Sequence, residues 1–133
     1  MKNILITGGA GFIGSNLANF LIKKKFNITV IDDLSIGKRN NIKNKKIIFV
    51  NRDILDINKI KFKKKFHSVV HLAAKAEILI PKKKEDIYYE SNISGLQSVL
   101  NFTANRGIEK FIFASSASVY GDTKNKKVSE NFE

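Results

Sequence analysis

Apolar and polar positions along the chain form two alternating patterns, one typical of β-strands and one typical of α-helices. Short runs of β-branched and other apolar residues recur, and stretches with apolar residues three or four positions apart separate them. The strand-like runs are residues 3–6, 27–31, 47–50, 68–72 and 110–114. Strands that alternate with helices predict an α/β fold with a mostly parallel, doubly wound sheet of the Rossmann type, truncated after about five strands.

Helix ends can be predicted at three points. Phe12 begins an amphipathic stretch that ends near the lysines at 23–25, where cations favour the helix dipole. Asp56 is the predicted N-cap of a helix that continues through Ile57. Gly107 follows a helical stretch over residues 85–106, at the position where glycine commonly ends a helix.

The composition narrows the class of protein. The chain has 133 residues, 43% of them hydrophobic, which suits one ordinary domain with a real core. It has no cysteine, which excludes a disulfide scaffold, a thiolate metal site and a cysteine nucleophile. The N-terminus does not resemble a signal peptide, and no apolar run approaches the ~20 residues of a membrane helix. We therefore expect a soluble, cytoplasmic protein without a membrane partner.

The formal net charge of +12 is high for such a domain. A basic chain can indicate nucleic-acid binding. The lysine runs are scattered along the chain without interleaved aromatic residues, at 23–25, 43–46, 63–65, 82–84 and 124–127. Because the chain is also rich in Asn, Ile and Phe, the lysines fit an AT-biased coding sequence. We do not expect nucleic acid as a partner.

A glycine-rich turn follows the first predicted strand. Gly8, Gly11 and Gly14 have the spacing Gly-x-x-Gly-x-x-Gly and lie between that strand and an amphipathic helix. Gly8 permits a tight turn, Gly11 lets the backbone approach a pyrophosphate, and Gly14 lets the helix pack closely on the sheet. The helix begins with Phe12 and Ile13 and presents its free N–H groups to the phosphates. The turn therefore predicts a dinucleotide site.

Two carboxylates end the second predicted strand. Asp32 lies where the ribose-binding acid of such a fold is expected, and Asp33 follows it. A carboxylate there accepts hydrogen bonds from both ribose hydroxyls and repels a 2′-phosphate, which favours NAD over NADP as the cofactor. The alternative is that the two aspartates only open a loop. Lys38 and Arg39, close behind, weaken the preference for NAD.

Six stretches together resemble the extended short-chain dehydrogenase/reductases of the NAD-dependent epimerase/dehydratase family, especially its UDP-sugar 4-epimerases. The stretches are TGGAGFIG at 7–14, VIDDLSIGKRNNI at 30–42, RDILD at 52–56, HLAAKA at 71–76, YYESNISG at 88–95 and SSASVYGD at 115–122. They occur in the family's order over nearly the whole chain, which makes the combination far more specific than any one of them.

The resemblance implies a role for each matching position. Asp53 and Ile54 would hold the adenine, and Asn92 would help to order the site from its helix. Ser116 would be the catalytic serine that hydrogen-bonds the reacting sugar hydroxyl. The cofactor channel would be lined by Leu72, Ala73, Ala74 and Lys75. Taken alone, each position has a structural alternative; Asp53, for example, could cap a turn.

The residues also limit the expected chemistry. The family's Tyr-x-x-x-Lys pair, which holds the general base, occurs nowhere in residues 1–133. Tyr120 belongs to a Val-Tyr-Gly motif and is not expected to be that base, and His71 is expected to be structural. We therefore expect residues 1–133 to be an incomplete NAD-binding domain, inactive by itself, of a longer enzyme.

For that intact protein the resemblance implies a homodimeric UDP-sugar 4-epimerase that transfers a hydride through a 4-keto intermediate. Related dehydratases carry Thr-Asp-Glu at the positions of Ser116, Ala117 and Ser118. Ala117 and Ser118 cannot transfer the protons that an elimination needs, so epimerisation is preferred. The alternatives are a dehydratase or reductase of the same family, a non-catalytic dinucleotide-binding protein, and an RNA-binding protein of the same fold.

Overall fold

Five strands form one parallel sheet in the computed structural model, which describes residues 1–76, 85–124 and 127–132. The strands are β1 (Asn3–Thr7), β2 (Asn27–Asp32), β3 (Ile48–Asn51), β4 (Ser68–His71) and β5 (Lys110–Phe113). They lie in the order β3-β2-β1-β4-β5, and each neighbouring pair is parallel. The predicted Rossmann-type α/β fold is confirmed, and each strand begins and ends within one residue of its predicted bounds.

Two long helical segments connect these strands. The first, α1 (Phe12–Lys23), joins β1 to β2. The second comprises α2 (Glu85–Tyr89), a π-helical turn (Glu90–Ser94) and α3 (Gly95–Asn105). Short 3₁₀ helices cover Arg39–Asn41, Ile54–Lys59 and Ala117–Tyr120. Within the described residues, no helix is both long and apolar enough to cross a bilayer.

The end of α3 follows the prediction. Gly107 has a φ of 57°, in the left-handed region that glycine adopts without strain. Its N–H donates to the Ala104 carbonyl at 3.0 Å, and the Ile108 N–H donates to the Thr103 carbonyl at 3.1 Å. These are the two hydrogen bonds of a Schellman motif, which stops the helix and turns the chain into β5.

The predicted helix with Asp56 as its N-cap was wrong. The segment is the 3₁₀ helix Ile54–Lys59, and its N-cap is Asp53, whose carboxylate accepts a hydrogen bond from the Leu55 N–H at 2.9 Å. Asp56 lies in the first turn and pairs with the Lys59 ammonium at 2.7 Å. Two aspartates three positions apart both precede apolar residues, so the sequence pattern did not distinguish the cap from a residue inside the helix.

The three central strands of the sheet, β1, β2 and β4, are buried on both faces, as a doubly wound fold requires. Leu5 and Ile6 are adjacent in β1 and fully buried, but they contribute to different cores. Ile6 belongs to the core that includes Ala18 of α1. Leu5 belongs to the core that includes Val99 and Phe102 of α3. Burial on both faces explains why the strands are continuously apolar rather than alternating.

His71, at the carboxyl end of β4, is a buried structural histidine. Its Nδ1 lies 2.8 Å from Thr7 Oγ1, which also accepts hydrogen bonds from the backbone N–H groups of Leu72 and Ala73 at 3.3 Å each. With its acceptor positions occupied, the Thr7 hydroxyl donates its proton to Nδ1, so the neutral ring carries its own proton on Nε2. Burial lowers the pKa of His71 to about 4.

The neutral state of His71 should make the fold less stable in acid. The unfolded chain takes up a proton on this ring below about pH 6.5, whereas the folded chain does so only near pH 4. This stabilisation should be fully present above pH 6.5 and be lost as the pH falls toward 4, by at most about 3 kcal/mol. Urea unfolding of the wild type and of His71→Asn between pH 4 and 8 measures it. An identical pH dependence in both proteins would contradict the assignment.

Candidate functional site

The strand order of the sheet reverses at β1, which has β2 on one side and β4 on the other. The last residue of β1, Thr7, is in register with the last residue of β4, His71. In open parallel sheets, ligands bind in the crevice at the carboxyl ends of the strands where the order reverses. A cavity lies at this point. Its walls include the predicted site residues Gly8, Gly11, Asp32, Asp33, Ile54, Leu72, Ala73, Ala74 and Lys75.

Five further residues line the same cavity and were missed by the sequence interpretation. They are Ser35, Ile36, Gly37, Arg52 and Ser91. All lie inside or directly beside stretches that carried the family resemblance. A glycine in the polar loop after β2 was the one available signal, because polar loops use glycine where the chain packs closely on another segment.

The glycine turn after β1 packs against backbone on two sides. Gly8 has a φ of 66°, and a Cβ there would lie 2.6 Å from the Ala73 nitrogen that follows β4. A Cβ on Gly14 would overlap the Gly8 carbonyl oxygen and lie 2.6 Å from Gly9 Cα. Gly14 therefore lets α1 start directly on the glycine turn. The nearest contacts of Gly14 are thus with the turn, and its role in packing α1 on the sheet stays a prediction.

Gly11 differs from these two glycines. Its φ of −70° and ψ of 178° are extended backbone that any residue adopts. A Cβ there would have only the Gly8 carbonyl oxygen within 4 Å, at 3.3 Å. Backbone conformation does not demand glycine here, and a Cβ would crowd one atom by a few tenths of an ångström, far less than at Gly8 or Gly14. Gly11 also lines the cavity, which fits a bound group that passes close to the backbone, as the pyrophosphate of a dinucleotide does.

The first turn of α1 is open to an anion. Its N-cap is Gly11, no side chain caps it, and the turn has no acidic residue. Its free N–H groups and the helix dipole therefore favour a phosphate group. The side chains of Phe12 and Ile13 are 84% and 66% exposed, and neither they nor Gly14 line the cavity. Phe12 and Ile13 can contribute to a cofactor site through their backbone.

Asp32 is buried and ties two loops together. Its Oδ2 accepts a hydrogen bond from the Ala10 N–H and its Oδ1 accepts one from the Leu34 N–H, each at 2.9 Å. Each oxygen keeps a further acceptor position, and the side chain borders the cavity. Asp33 accepts from the Ser35 N–H at 2.9 Å and the Ser35 hydroxyl at 2.7 Å. Both aspartates therefore stabilise the loop that follows β2, as the structural alternative predicted, and this role is compatible with binding a ligand.

The loop after β2 returns to the glycine turn, a contact that the sequence did not reveal. The Ala10 carbonyl accepts hydrogen bonds from the Lys38 N–H at 3.1 Å and from Asn41 Nδ2 at 2.7 Å. The Asn41 carbonyl in turn accepts from Asn19 Nδ2 on α1 at 3.1 Å. Together with Asp32, these bonds hold the N–H and C=O groups of the buried Ala10.

Asn92 acts on the backbone beside the cavity. Its Oδ1 accepts from the Lys75 N–H at 2.8 Å, and its Nδ2 donates to the Lys75 carbonyl at 2.9 Å. The π-helical turn Glu90–Ser94 presents this amide to the strand end. Asn92 does not line the cavity, so it orders the segment after β4 rather than contacting what the cavity holds.

Besides Phe12, Ile13, Gly14 and Asn92, two more predicted site residues, Asp53 and Ser116, lie outside the cavity lining. Asp53 is exposed and caps the 3₁₀ helix Ile54–Lys59, which is the structural alternative that its sequence allowed. Ser116 follows β5 and is also exposed. Its Oγ accepts from the Ser118 N–H at 3.2 Å and lies 3.1 Å from the Ser118 Oγ. Ser116 is thus on the same carboxyl edge as the cavity, two strands from β1.

A family comparison agrees with this geometry. Residues 4–133 match the family described as "NAD dependent epimerase/dehydratase family". The chain belongs to this family. The predicted cofactor, NAD, is confirmed as the cofactor of the family, and the resemblance drawn from the six stretches is confirmed as well.

Relatives in this family are longer than the chain. It is 40% identical to the putative UDP-glucose 4-epimerase of Methanocaldococcus jannaschii in an alignment 134 positions long, which covers 96% of this chain and 43% of that protein. It is 33% identical to the UDP-glucose 4-epimerase of Haemophilus influenzae, over 98% of this chain and 41% of that protein. The chain therefore spans about two fifths of the length of these relatives.

Solved structures show the same relation. The UDP-N-acetylglucosamine 4-epimerase from Methanobrevibacter ruminantium M1 has a TM-score of 0.86 and 35% identity, covering 98% of this chain and 43% of that one. The UDP-glucose 4-epimerase of Thermus thermophilus, solved in complex with NAD, has a TM-score of 0.85 and 29% identity, with the same coverage of both chains.

Alanine should affect Gly11 and Gly14 differently. Gly14→Ala forces a Cβ against the Gly8 carbonyl, so we expect a loss of about 1–3 kcal/mol despite alanine's better helix propensity. Gly11→Ala meets one atom at 3.3 Å and should cost about 1 kcal/mol or less, as a poorer N-cap. Urea unfolding of both variants compares them. A larger loss at Gly11 would mean that this glycine serves packing.

Proposed function

We propose that this chain is the NAD-binding part of a longer UDP-sugar 4-epimerase, with residues 1–133 forming its incomplete cofactor-binding domain. The observation that carries the proposal is the open side of Gly11, which borders the cavity at the strand reversal in a member of an NAD-dependent family. Relatives that match most of the chain are UDP-glucose 4-epimerases, and they extend well beyond the matched region.

In this proposal the pyrophosphate lies along Gly11 and the first turn of α1, where the N–H groups of Phe12 and Ile13 face it. Asp32, with Asp33 beside it, holds the adenosine ribose through its remaining acceptor positions. Its negative charge, held by two backbone N–H groups, disfavours the 2′-phosphate of NADP. The adenine lies toward Ile54, which lines the cavity, and toward its chain neighbour Asp53.

The nicotinamide end would lie toward the segment after β4. Leu72, Ala73, Ala74 and Lys75 form that wall, and Asn92 fixes its backbone. Bound NAD supplies a hydride acceptor that later returns the hydride, so the reaction needs no other oxidant. The small side chains of Ala73 and Ala74 leave space for a flat ring beside the strand ends.

Ser116 is the residue of this chain proposed to contact the sugar. Its hydroxyl is exposed at the carboxyl edge and can hydrogen-bond a substrate hydroxyl. Ala117 has no group that transfers a proton, and Ser118 is a weak acid and a weak base. The turn therefore supports epimerisation, which requires only reversible hydride transfer, over elimination of water. The general base would belong to a part of the longer protein outside residues 1–133.

Exposed apolar side chains on β5 and on the α2 and π-helical segment support the proposal of a longer, dimeric protein. Ile112 and Phe113 of the edge strand β5 are 54% and 51% exposed. Ile87, Tyr89 and Ile93 on the α2 and π-helical segment are 48%, 65% and 52% exposed. Large apolar side chains that are exposed together mark surfaces that other parts of a protein or a second copy commonly cover. We propose that further residues of the longer protein cover β5 and that its helical segment takes part in a homodimer.

Binding of NAD⁺ tests the cofactor site directly. The purified protein should bind NAD⁺ well ahead of NADP⁺ in a calorimetric titration, because Asp32 disfavours the 2′-phosphate. Gly11→Val should abolish binding while the protein stays folded, since its side chain fills the open side of the turn. Gln97→Val on the exposed surface of α3 is the matched control. Near wild-type affinity in Gly11→Val, or equal affinity for both cofactors, would overturn the assignment.

Activity tests the proposed reaction. The longer protein should equilibrate a UDP-hexose with its 4-epimer. In deuterated water, the product should carry no deuterium at C5. Residues 1–133 alone should show no turnover. Ser116→Ala should slow the longer protein by about 10²–10⁴-fold with NAD⁺ binding little changed. A 4-keto-6-deoxy product would identify a dehydratase, and NAD⁺ binding without conversion would favour a non-catalytic dinucleotide-binding protein.

A further inference from the structure

The amino ends of the five strands meet at one edge of the sheet, opposite the cavity, because all the strands are parallel. The chain segments that enter this edge carry the lysine runs. Residues 23–25 precede β2, residues 43–46 precede β3 and residues 61–65 precede β4; Lys2 precedes β1 and Lys110 begins β5. We call these segments, together with Arg106, the basic edge.

Hydrogen bonds show that runs distant in sequence are neighbours here. Asn3 Nδ2 donates to the Lys65 carbonyl at 2.7 Å, and Asn27 Nδ2 donates to Asn3 Oδ1 at 3.0 Å. The Asn27 N–H also donates to the Lys2 carbonyl at 3.1 Å. Strands about 4.8 Å apart place the five amino ends within about 20 Å. The runs at 23–25 and 63–65, which are scattered along the sequence, therefore lie near each other in space; residues 82–84 lie outside the described residues.

The cations of the basic edge are not neutralised by nearby carboxylates. Glu109, between Arg106 and Lys110, is the one acidic residue in or directly beside these segments, and it lies 3.0 Å from His67 Nδ1. In the part of the chain that the structure describes, the one ion pair between a lysine or arginine and a carboxylate joins Lys59 and Asp56, outside the basic edge. Every lysine of the basic edge is exposed to solvent. Such a concentration of one sign of charge attracts polyanions.

The basic edge also contains a cleft of about 210 Å³, lined by Phe62, Phe66, Arg106 and the lysines at 63–65. The Arg106 guanidinium lies 4.7 Å from the ring centroid of Phe102 and 5.8 Å from that of Phe62. Its Nη2 also donates to the Ile60 carbonyl at 3.4 Å. The planar guanidinium group of Arg106 is therefore held beside two aromatic rings, and it lines the same cleft as the three lysines at 63–65.

We propose that the basic edge binds single-stranded nucleic acid, with backbone phosphates along the lysines and a base in the cleft beside Phe62 and Arg106. Phosphate chains bound by lysines, with bases stacked on aromatic and guanidinium groups, are the usual basis of such binding. A concave cleft admits a single base, whereas a flat bilayer surface does not enter it, which favours nucleic acid over an anionic membrane. The surface lies opposite the proposed NAD site and does not depend on it.

Fluorescence anisotropy with a labelled 12-nucleotide oligo(U) tests this surface. The double variant Lys63→Gln/Lys65→Gln should bind about fivefold or more weakly than the wild type. Lys124→Gln/Lys127→Gln removes the same charge outside the basic edge and should bind like the wild type. Each lost phosphate contact should reduce the slope of log K against log salt by about 0.7. NAD⁺ affinity should be equal in both double variants.

Arg106→Lys tests the cleft separately, because it keeps the charge and removes the planar group. It should weaken binding of oligo(U) more than binding of an abasic oligonucleotide of equal length. A DNA oligonucleotide of the same sequence serves as a comparison. Equal binding of RNA and DNA indicates that the protein contacts only the phosphate chain and the bases, whereas weaker binding of DNA indicates that it also contacts the RNA 2′-hydroxyl. Equal weakening by the two double variants, no binding at 150 mM salt, or stronger binding to phosphatidylserine vesicles would overturn the proposal.

Discussion

Three of the four glycines in the turn after β1 are packed so closely that a side chain would overlap neighbouring atoms. Gly8 lies against the backbone after β4, Gly9 against Val30 of β2, and Gly14 against the turn itself. These contacts join β1, β2, β4 and α1 at one point. Gly11 is the exception, because a Cβ there would meet one atom, at 3.3 Å, and the residue lines the cavity. The same close packing that builds the fold therefore leaves one approach to the backbone, where a phosphate can be bound.

Hydrogen bonds to a single peptide extend this constraint to the loop after β2. The Ala10 N–H is held by Asp32, and its carbonyl is held by Asn41 and the Lys38 N–H. Asp32 thus has two roles that support each other. It fixes the turn that receives the phosphates, and the same carboxylate borders the cavity where a ribose would lie. Its buried charge is stabilised by two N–H donors, which keeps it in place for either role.

Parts of this arrangement follow from sequence and parts do not. Strands β1, β2 and β4 were predictable because both of their faces are buried, so each is a nearly continuous apolar run. Gly107 was predictable because a helix stop needs left-handed backbone. The Asn41 contact with Ala10 spans 31 residues, and no local pattern encodes it. The choice between Asp53 and Asp56 as a cap depended on the backbone path, which short-range spacing leaves open.

The lysine runs are a second case in which the sequence alone does not show which residues are neighbours in space. Along the chain they are far apart, but parallel strands bring every segment that precedes a strand to one edge, while the segments that follow strands form the cavity at the other. Charge pattern along the sequence therefore differs from charge pattern in space. In this fold, the lysines of the basic edge and the carboxylates Asp32 and Asp33 belong to opposite edges of the same sheet.

The central claim is that the glycine turn and the two loops it contacts form one cofactor site. Titration of the ¹⁵N-labelled protein with NAD⁺, followed by amide chemical shifts, measures this most directly. The shifts should be largest for residues 8–14, 34–37 and 73–75, with residues 63–65 at the opposite edge unchanged. Shifts centred on the opposite edge, or absent from residues 8–14 at saturating NAD⁺, would contradict the account.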